Sequence, residues 1–331
     1  MATIGIVGAT GLVGEELLKI INYSQIPFEK IFLFNSQKKL CDPILLKGKW
    51  HPITAVSLET LELCDVVFFL AGSEISKDYI PHLQRPTVID LSSAFRTHKA
   101  VPLIIPEING HLLETRPRVI ASPNCTTSIM LMALYPLHKR YKLKRICAST
   151  YQAASGGGRK LLGSLLEETK RYALKRSASL SSLSYAFNLY PHPASIENCQ
   201  DNLEETKMIF ETRKILEDPT LSISCQCIRV PTLRVHGISL HVDFEDPLTE
   251  EEAFKELRAF PGIEIYAQPK MQLSSHEAIE NQKILCSRIR IDPVDPTRLS
   301  LWVVGDQLLK GAALNAFQIL EYLIGSSLIL I

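Results

Sequence analysis

The chain has 331 residues, with 36 Lys and Arg against 35 Asp and Glu, a net charge of +1, and 46% hydrophobic residues. That length buries a large core and predicts two domains, or one large α/β unit with an insertion. Balanced charge removes the usual electrostatic reason to bind nucleic acid or an anionic membrane, and the apolar content argues against large-scale disorder.

The eight cysteines form no CxxC pair and no regular framework, Cys225-Gln-Cys227 being the closest pairing. This argues against a zinc ribbon or a disulfide scaffold, and no metal is expected. Met1-Ala-Thr-Ile-Gly-Ile-Val-Gly has no basic n-region, and no apolar run approaches the ~18 residues of a spanning helix. The expectation is a soluble cytoplasmic enzyme with neither membrane nor nucleic-acid partners.

Ile4 to Val7 is a short apolar run of the kind that forms a buried parallel strand, and Gly8-Ala9-Thr10-Gly11-Leu12-Val13-Gly14 follows at once. A helix-like stretch, Glu15 to Asn22, comes next, with a break near Pro27. Glycines between strand and helix permit a tight turn and let a pyrophosphate approach the backbone N–H groups at the helix start. The spacing is GxxGxxG rather than GxGxxG; a glycine turn that only packs tightly is the bland alternative. A second strand is predicted at Ile31 to Phe34, followed by Asn35-Ser36-Gln37-Lys38-Lys39. No carboxylate stands there to hold a ribose 2′-hydroxyl, whereas Ser36, Lys38 and Lys39 can receive a 2′-phosphate, which favours NADP over NAD. Further strands at Asp65 to Leu70 and Thr87 to Asp90 lead into Ala71-Gly72-Ser73 and Leu91-Ser92-Ser93-Ala94-Phe95-Arg96. Small and hydroxylated residues past parallel strands occupy the ligand side of an open α/β sheet, and Arg96 there is a candidate for an anion.

Val119 to Ala121 reads as another strand, then Ser122-Pro123-Asn124-Cys125-Thr126-Thr127-Ser128 and an apolar helix, Ile129 to Tyr135. Cys125 falls at or near the helix N-terminus, where unpaired N–H groups and the dipole favour thiolate over thiol. Of the eight cysteines it alone has the setting of a nucleophile.

Residues 122 to 128 resemble the active-site region of the aspartate-β-semialdehyde dehydrogenases, which carry a Pro-Asn-Cys turn. The resemblance extends along nearly the whole chain. It includes the opening glycine loop, Ile89-Asp90 with Ser92 to Arg96, Val101-Pro102 to Asn109, and Thr150-Tyr151-Gln152-Ala153 with Ser155-Gly156. Ala186-Phe187-Asn188, Glu204-Glu205-Thr206-Lys207, Arg229-Val230-Pro231 with His236, and Asp306 with Lys310 to Ala316 complete it. The resemblance implies Cys125 as nucleophile, His236 as general acid/base, Gln152 orienting the acyl group and Asn124 supporting it. Arg229 then binds the substrate carboxylate, Glu204 its ammonium, and Arg96 and Lys207 its phosphate. The coenzyme falls to Gly8, Thr10, Gly11, Leu12, Val13, Gly14, Ser36, Lys38, Lys39, Ala71, Gly72, Ser155, Gly156 and Gln307. Glu204 and Lys207 are three apart on a predicted helix, a spacing that suits an ordinary surface salt bridge equally well. Without the resemblance, His236 ranks only slightly above His192 and His241. Three positions depart from the family: Leu91 and Ser122, each where Asn is usual, and Gln307, where Asn usually follows the Asp.

The implied fold is α/β: a Rossmann-type NADP-binding domain of residues 1–125 plus 314–331, with an α+β substrate-binding and dimerisation domain inserted at 126–313. Residues 177–184, rich in serine, are expected to form a loop. The implied activity is NADPH-dependent reduction of L-aspartyl-4-phosphate to L-aspartate-4-semialdehyde, on the way to lysine (through diaminopimelate), threonine and methionine, by a homodimer or tetramer. Two rivals remain: an N-acetyl-γ-glutamyl-phosphate reductase, and a non-catalytic NADP-binding sensor. Glu204 with Arg229 suits a free amino acid better than an acetylated one.

Overall fold

The computed structural model describes residues 2–36, 42–174, 184–196, 201–266 and 272–325. Lys38 and Lys39, and residues 177–183 of the serine-rich stretch, lie outside these. The chain divides into two compact units, Met1–Asn124 with Ala312–Ile331, and Cys125–Gly311. Among the described residues no helix is long and apolar enough to cross a membrane.

The first unit is built on β1 (Ala2–Val7), β2 (Phe28–Asn35), the hairpin β3 (Ile44–Leu46) and β4 (Lys49–His51), β5 (Ile53–Ala55), β6 (Val66–Phe69), β7 (Thr87–Asp90) and β8 (Val119–Ala121). Six of these form a parallel sheet in the order β5-β2-β1-β6-β7-β8. Strand order reverses between β1 and β6, so the crevice for a ligand opens at the carboxyl ends of those two strands. The apolar runs seen in the sequence follow from burial on both faces. Ile4, Ile6, Leu33 and Phe68 enter one core cluster, and Val7, Phe34, Val67 and Phe69 the other. Helix α1 (Leu12–Tyr23) lays Leu17, Leu18 and Ile21 into the first cluster, which also takes Phe317, Ile319 and Leu320 of the closing helix Leu314–Leu323. Short helices α2 (Leu58–Leu61), α3 (Ser73–Tyr79) and α4 (Pro106–Asn109) complete this unit.

α1 starts at Leu12, three residues before the expected Glu15, because Gly11 already holds the extended conformation of a cap. Helix α5 (Cys125–Tyr141) opens the second unit and runs past the expected Tyr135 despite Pro136. Leu134 and Leu137 flank that proline and are both fully buried, which offsets the lost backbone bond.

The second unit adds β9 (Leu143–Gln152), α6 (Gly158–Leu174), β10 (Tyr190–Pro191), α7 (Leu203–Ile215), β11 (Ser222–Arg229), β12 (His236–Phe244), α8 (Glu250–Ala259), β13 (Ile263–Tyr266), β14 (Ile284–Ile291) and β15 (Arg298–Gly305). Its seven strands form one mixed sheet, β10-β11-β9-β12-β15-β14-β13. β11 runs parallel to β9 and β12 antiparallel to it. The end of β9, the end of β11 and the start of β12 therefore lie side by side. Gln152, Arg229 and His236 are the residues at those three positions.

Candidate active site

In the first unit the glycine loop is shaped by backbone contact. Gly8 has φ +94°, and a Cβ there would stand 3.0 Å from the Leu70 carbonyl carbon and 3.1 Å from the Ala71 nitrogen, across the β1–β6 crevice. A Cβ on Gly14 would stand 2.7 Å from the Ala9 carbonyl carbon, so the third glycine lets α1 close onto the loop. Gly11 N–H bonds Gly8 O at 3.0 Å, and no side chain caps the start of α1 where Leu12 and Val13 follow. Those N–H groups fit a pyrophosphate. Gly72, with φ +97°, turns the chain after Ala71 into α3. At the end of β2 the Asn35 amide donates to the Thr10 hydroxyl and accepts from the Ser36 N–H at 3.0 Å, tying the second strand's end to the glycine loop. Ser36 itself is exposed.

Arg96 is buried and donates from Nη2 to the Leu91 carbonyl at 2.8 Å. The Leu91 side chain instead packs against the core, so its backbone does what a polar side chain could have done. Buried Asp90 accepts from Ser76 Oγ, Ser92 N and Ser92 Oγ at 2.8 to 3.0 Å and fixes the turn before Arg96. Burial raises its carboxyl above the usual range. Ser122 N–H bonds Asp90 O at 2.8 Å, and its hydroxyl accepts from Asn315 Nδ2 at 3.0 Å. Asn124, the last residue of this unit's first segment, is buried.

In the second unit Cys125 is the first residue of α5 and is half-buried. Gly311 lies against it: a Cβ there would stand 2.8 Å from Cys125 Cβ. Next along the helix, Thr126 accepts from Gln152 Nε2 at 3.4 Å, and the same amide reaches Glu204 Oε1 at 3.3 Å. Glu204 sits in the first turn of α7, which the Asn202–Glu205 capping box starts. Glu205 also accepts from the Cys227 N–H at 2.9 Å, anchoring that turn to β11. Glu204 is thereby turned inward and buried, with Lys207 Nζ at 3.2 Å from its other oxygen. The spacing makes a salt bridge, and the salt bridge faces Gln152.

Arg229 is buried and donates from Nη1 to Ala153 O at 3.0 Å and from Nη2 to His192 Nε2 at 2.6 Å. Among the described residues its Nε has no acceptor and no carboxylate pairs with it. A buried guanidinium without a counter-ion is costly, so this one is suited to a ligand carboxylate.

The three histidines that sequence barely separates are distinct in the structure. His241 is exposed and bonds Ser300 Oγ at 2.8 Å, far from any such role. His236 is fully buried, and its Nδ1 accepts from the Ala153 N–H at 3.1 Å. The neutral ring therefore carries its proton on Nε2, which has no partner among the described residues. Burial first, then the Arg229 charge, pushes this imidazole down to about 3. A Cβ on Gly156 would stand 2.9 Å from His236 Nε2 and 3.3 Å from Arg229 Nη1, so only glycine leaves room beside the two groups.

Ser155 and Gln307 turn out to bond each other. Gln307 Nε2 donates to Ser155 Oγ at 2.5 Å, and Ser155 Oγ donates to Leu233 O at 2.5 Å. Gln307 Oε1 accepts the Val235 N–H at 2.8 Å. Val235 is a buried β-branched residue at φ +76°, a strained conformation immediately before His236. Buried Asp306 accepts from Arg234 Nε at 2.7 Å and from the Glu280 N–H at 2.8 Å, bracing the same turn. Sequence reasoning passed over Val235 and the Arg234–Asp306 pair, and no spacing announces either.

Family models match both units: "Semialdehyde dehydrogenase, NAD binding domain" over residues 3–116, and "Semialdehyde dehydrogenase, dimerisation domain" over residues 134–310. The aspartate-semialdehyde dehydrogenase of Synechocystis is 36% identical over 327 residues, covering 97% of this chain and 97% of its own. The chain belongs to the aspartate-semialdehyde dehydrogenase family. The family's enzyme from Aquifex aeolicus is 34% identical over 98% of this chain and 99% of its own. Among solved structures, aspartate semialdehyde dehydrogenase II of Vibrio cholerae, complexed with ASA, matches with a TM-score of 0.94. It is 31% identical and covers 99% of each chain. Family membership makes the protein an oxidoreductase, with an NAD-binding domain and a dimerisation domain in one chain.

Proposed function

We propose that the protein reduces L-aspartyl-4-phosphate to L-aspartate-4-semialdehyde with NADPH, through a thioester on Cys125. The observation that carries this reading is Arg229. Within a family of acyl-phosphate reductases, its buried, uncompensated guanidinium ends the strand beside Gln152, whose amide also reaches Glu204. A carboxylate on Arg229 and an ammonium on Glu204 hold a free amino acid by both charged groups. An acetylated amine would bring no charge to Glu204, whose Oε2 holds Lys207 and whose Oε1 faces the Gln152 amide, which disfavours the N-acetyl-γ-glutamyl-phosphate alternative. The presence of Cys125, Gln152, Arg229 and His236 together likewise disfavours a non-catalytic sensor.

In this mechanism the Cys125 sulfur attacks the acyl carbon, the carbon–oxygen bond to phosphate breaks, and phosphate leaves with the electron pair. Gln152 orients the acyl group, Asn124 supports it, and Arg96 and Lys207 receive the phosphate. A bound NADPH supplies the hydride that reduces the thioester carbon. His236 meets the resulting oxyanion with the Nε2–H of its neutral ring, a hydrogen bond that stabilises the developing charge and assists proton movement as the thiohemiacetal collapses to aldehyde and thiolate.

The domain assignment belongs to the same reading: residues 1–125 with 314–331 hold NADP, and 126–313 hold substrate and form a dimer. The Gly8–Gly14 loop, Ala71, Gly72 and Gly156 are its coenzyme contacts. Ser155 and Gln307 remain in that set, their side chains also engaged with each other. Preference for NADP rests on Asn35 and Ser36 at the end of β2, with no acid there, and on Lys38 and Lys39. A homodimer fits the outer face of the second sheet, where Ser149 and Trp302 are half-buried, Tyr151 is exposed, and the last two rings meet tilted at 5.8 Å.

The test is the reverse reaction. Aspartate semialdehyde, phosphate and NADP should give NADPH absorbance that depends on all three, and N-acetylglutamate semialdehyde should not replace the first. Turnover of the acetylated aldehyde alone would assign the rival reductase, and coenzyme binding with no turnover of either would assign the sensor. Replacing Lys38 and Lys39 with Ala should raise the KM for NADPH far more than that for NADH.

A further inference from the structure

We propose that His192 is a positioning residue: it sets the plane of Arg229 for the substrate carboxylate while leaving the guanidinium charge uncompensated. The inference rests on the substrate reading given above for Arg229.

A guanidinium has five N–H donors and no acceptor, so where it points is decided by what accepts from it. In Arg229 one arm is fixed by the Ala153 carbonyl at 3.0 Å and the other by His192 Nε2 at 2.6 Å. Arginine cannot accept, so His192 Nε2 is the acceptor of this short contact and the ring is neutral; at its other nitrogen the Ala194 N–H stands 3.3 Å from Nδ1, the longer and weaker of the two contacts. The imidazole is kept in that neutral form chiefly by burial and then by the Arg229 charge, which push it down to about 4.

The backbone of His192 is itself held. Its N–H bonds Cys227 O at 2.7 Å, and its carbonyl accepts from Asn202 Nδ2 at 3.4 Å. β10 pairs Tyr190 with Arg229, which brings the residue two places further along to the guanidinium. Asn202 is also the cap that turns Glu204 inward. The two groups assigned to the substrate's charged ends thus share one local brace.

A carboxylate at position 192 would orient the arginine equally well but would neutralise it and compete with the ligand. A neutral acceptor aims the cation without cancelling it. The chemistry recognised is therefore a monovalent carboxylate on a substrate that arrives at an already aligned guanidinium.

The experiment compares wild type with His192→Ala, His192→Gln and His192→Glu in the reverse assay, with KM measured separately for aspartate semialdehyde, phosphate and NADP. His192→Ala should raise the semialdehyde KM by about tenfold, with a smaller fall in kcat and the other two KM values within about twofold. His192→Gln, whose amide oxygen can accept from Nη2, should recover most of that loss. His192→Glu should raise the semialdehyde KM at least as much as Ala does. Unchanged semialdehyde KM in His192→Ala, or an equal rise in all three constants with no rescue by Gln, would overturn the role. Absence of wild-type turnover overturns the substrate reading and this role with it; wild-type turnover with an indifferent His192→Ala overturns the role alone.

Discussion

Arg229 and His236 lie at the ends of the two strands that flank β9, and should fail in different ways. Arg229 meets a charge that is present from binding to release, so Arg229→Lys, which keeps the cation but loses the fork, should raise KM and also misplace the reacting carbon. His236 acts when charge develops, so His236→Ala should lower kcat by about 10²–10⁴-fold with a much smaller change in KM. Both constants measured across pH check this; a pure KM effect for His236→Ala would make it a binding residue. Gly156 belongs to the same corner. His236 is wholly buried and cannot retreat from an added methyl 2.9 Å from its Nε2, so Gly156→Ala should depress turnover and also cost about 1–3 kcal/mol of stability. Single residues were legible in the sequence where a motif surrounded them. Cys125 stood out by its place before a helix. His192 did not, because a two-residue strand leaves no periodic trace, and only pairing of β10 with β11 brings it to Arg229.

At the scale of elements, the β1-loop-α1 unit depends on two carbonyls approaching Gly14 more closely than a side chain allows. Gly14→Ala should therefore cost about 1–3 kcal/mol of stability as the loop shifts, and weaken coenzyme binding at the same time. Thermal unfolding with and without NADPH checks both; a variant with wild-type coenzyme affinity would detach this loop from the cofactor. α7 makes a second case. Asn202→Ala removes the acceptor for the Glu204 and Glu205 N–H groups and should cost about 1 kcal/mol. It should also raise the KM for semialdehyde, because Glu204 loses its aim. The parallel strands were legible because both faces of that sheet are buried, and runs such as Val66–Phe69 are then apolar throughout. The second unit was less legible. Its strands are paired by long-range register, the β9 run of Leu143–Gln152 mixes buried and exposed positions, and the strained Val235 before β12 is set by Gln307, far along the chain.

For the whole molecule, buried neutral histidines predict how stability responds to acid. His236 at about 3 and His192 at about 4 lie below the ordinary histidine value, and burial lowers His138 in the same direction. Below about pH 6.5 the unfolded chain takes up protons that these rings refuse in the folded state. Their contribution is fully present above that pH and falls as pH drops, by up to about 1.4 kcal/mol per pH unit for each ring. Between pH 6.5 and 5, above the range of ordinary carboxylates, these rings should move the unfolding midpoint in denaturant down, opposed by the carboxyls of Asp90, Asp306 and Glu321, which burial raises. His192→Gln should flatten the slope by up to one proton; an unchanged slope would mean that His192 is protonated in the folded state. The central claim, a covalent acyl-enzyme on Cys125, has a more direct test. Four of the six described cysteines, Cys64, Cys225, Cys227 and Cys286, are buried and their thiols are pushed up by that burial, so they are poor nucleophiles. Mixing the enzyme with aspartyl phosphate in the absence of NADPH, quenching in acid and mapping the peptides by mass spectrometry should show one aspartyl group on Cys125, none in Cys125→Ser, and loss of the adduct when NADPH is added. NADPH-dependent turnover with no adduct, or an adduct on another cysteine that survives in Cys125→Ser, would contradict the account.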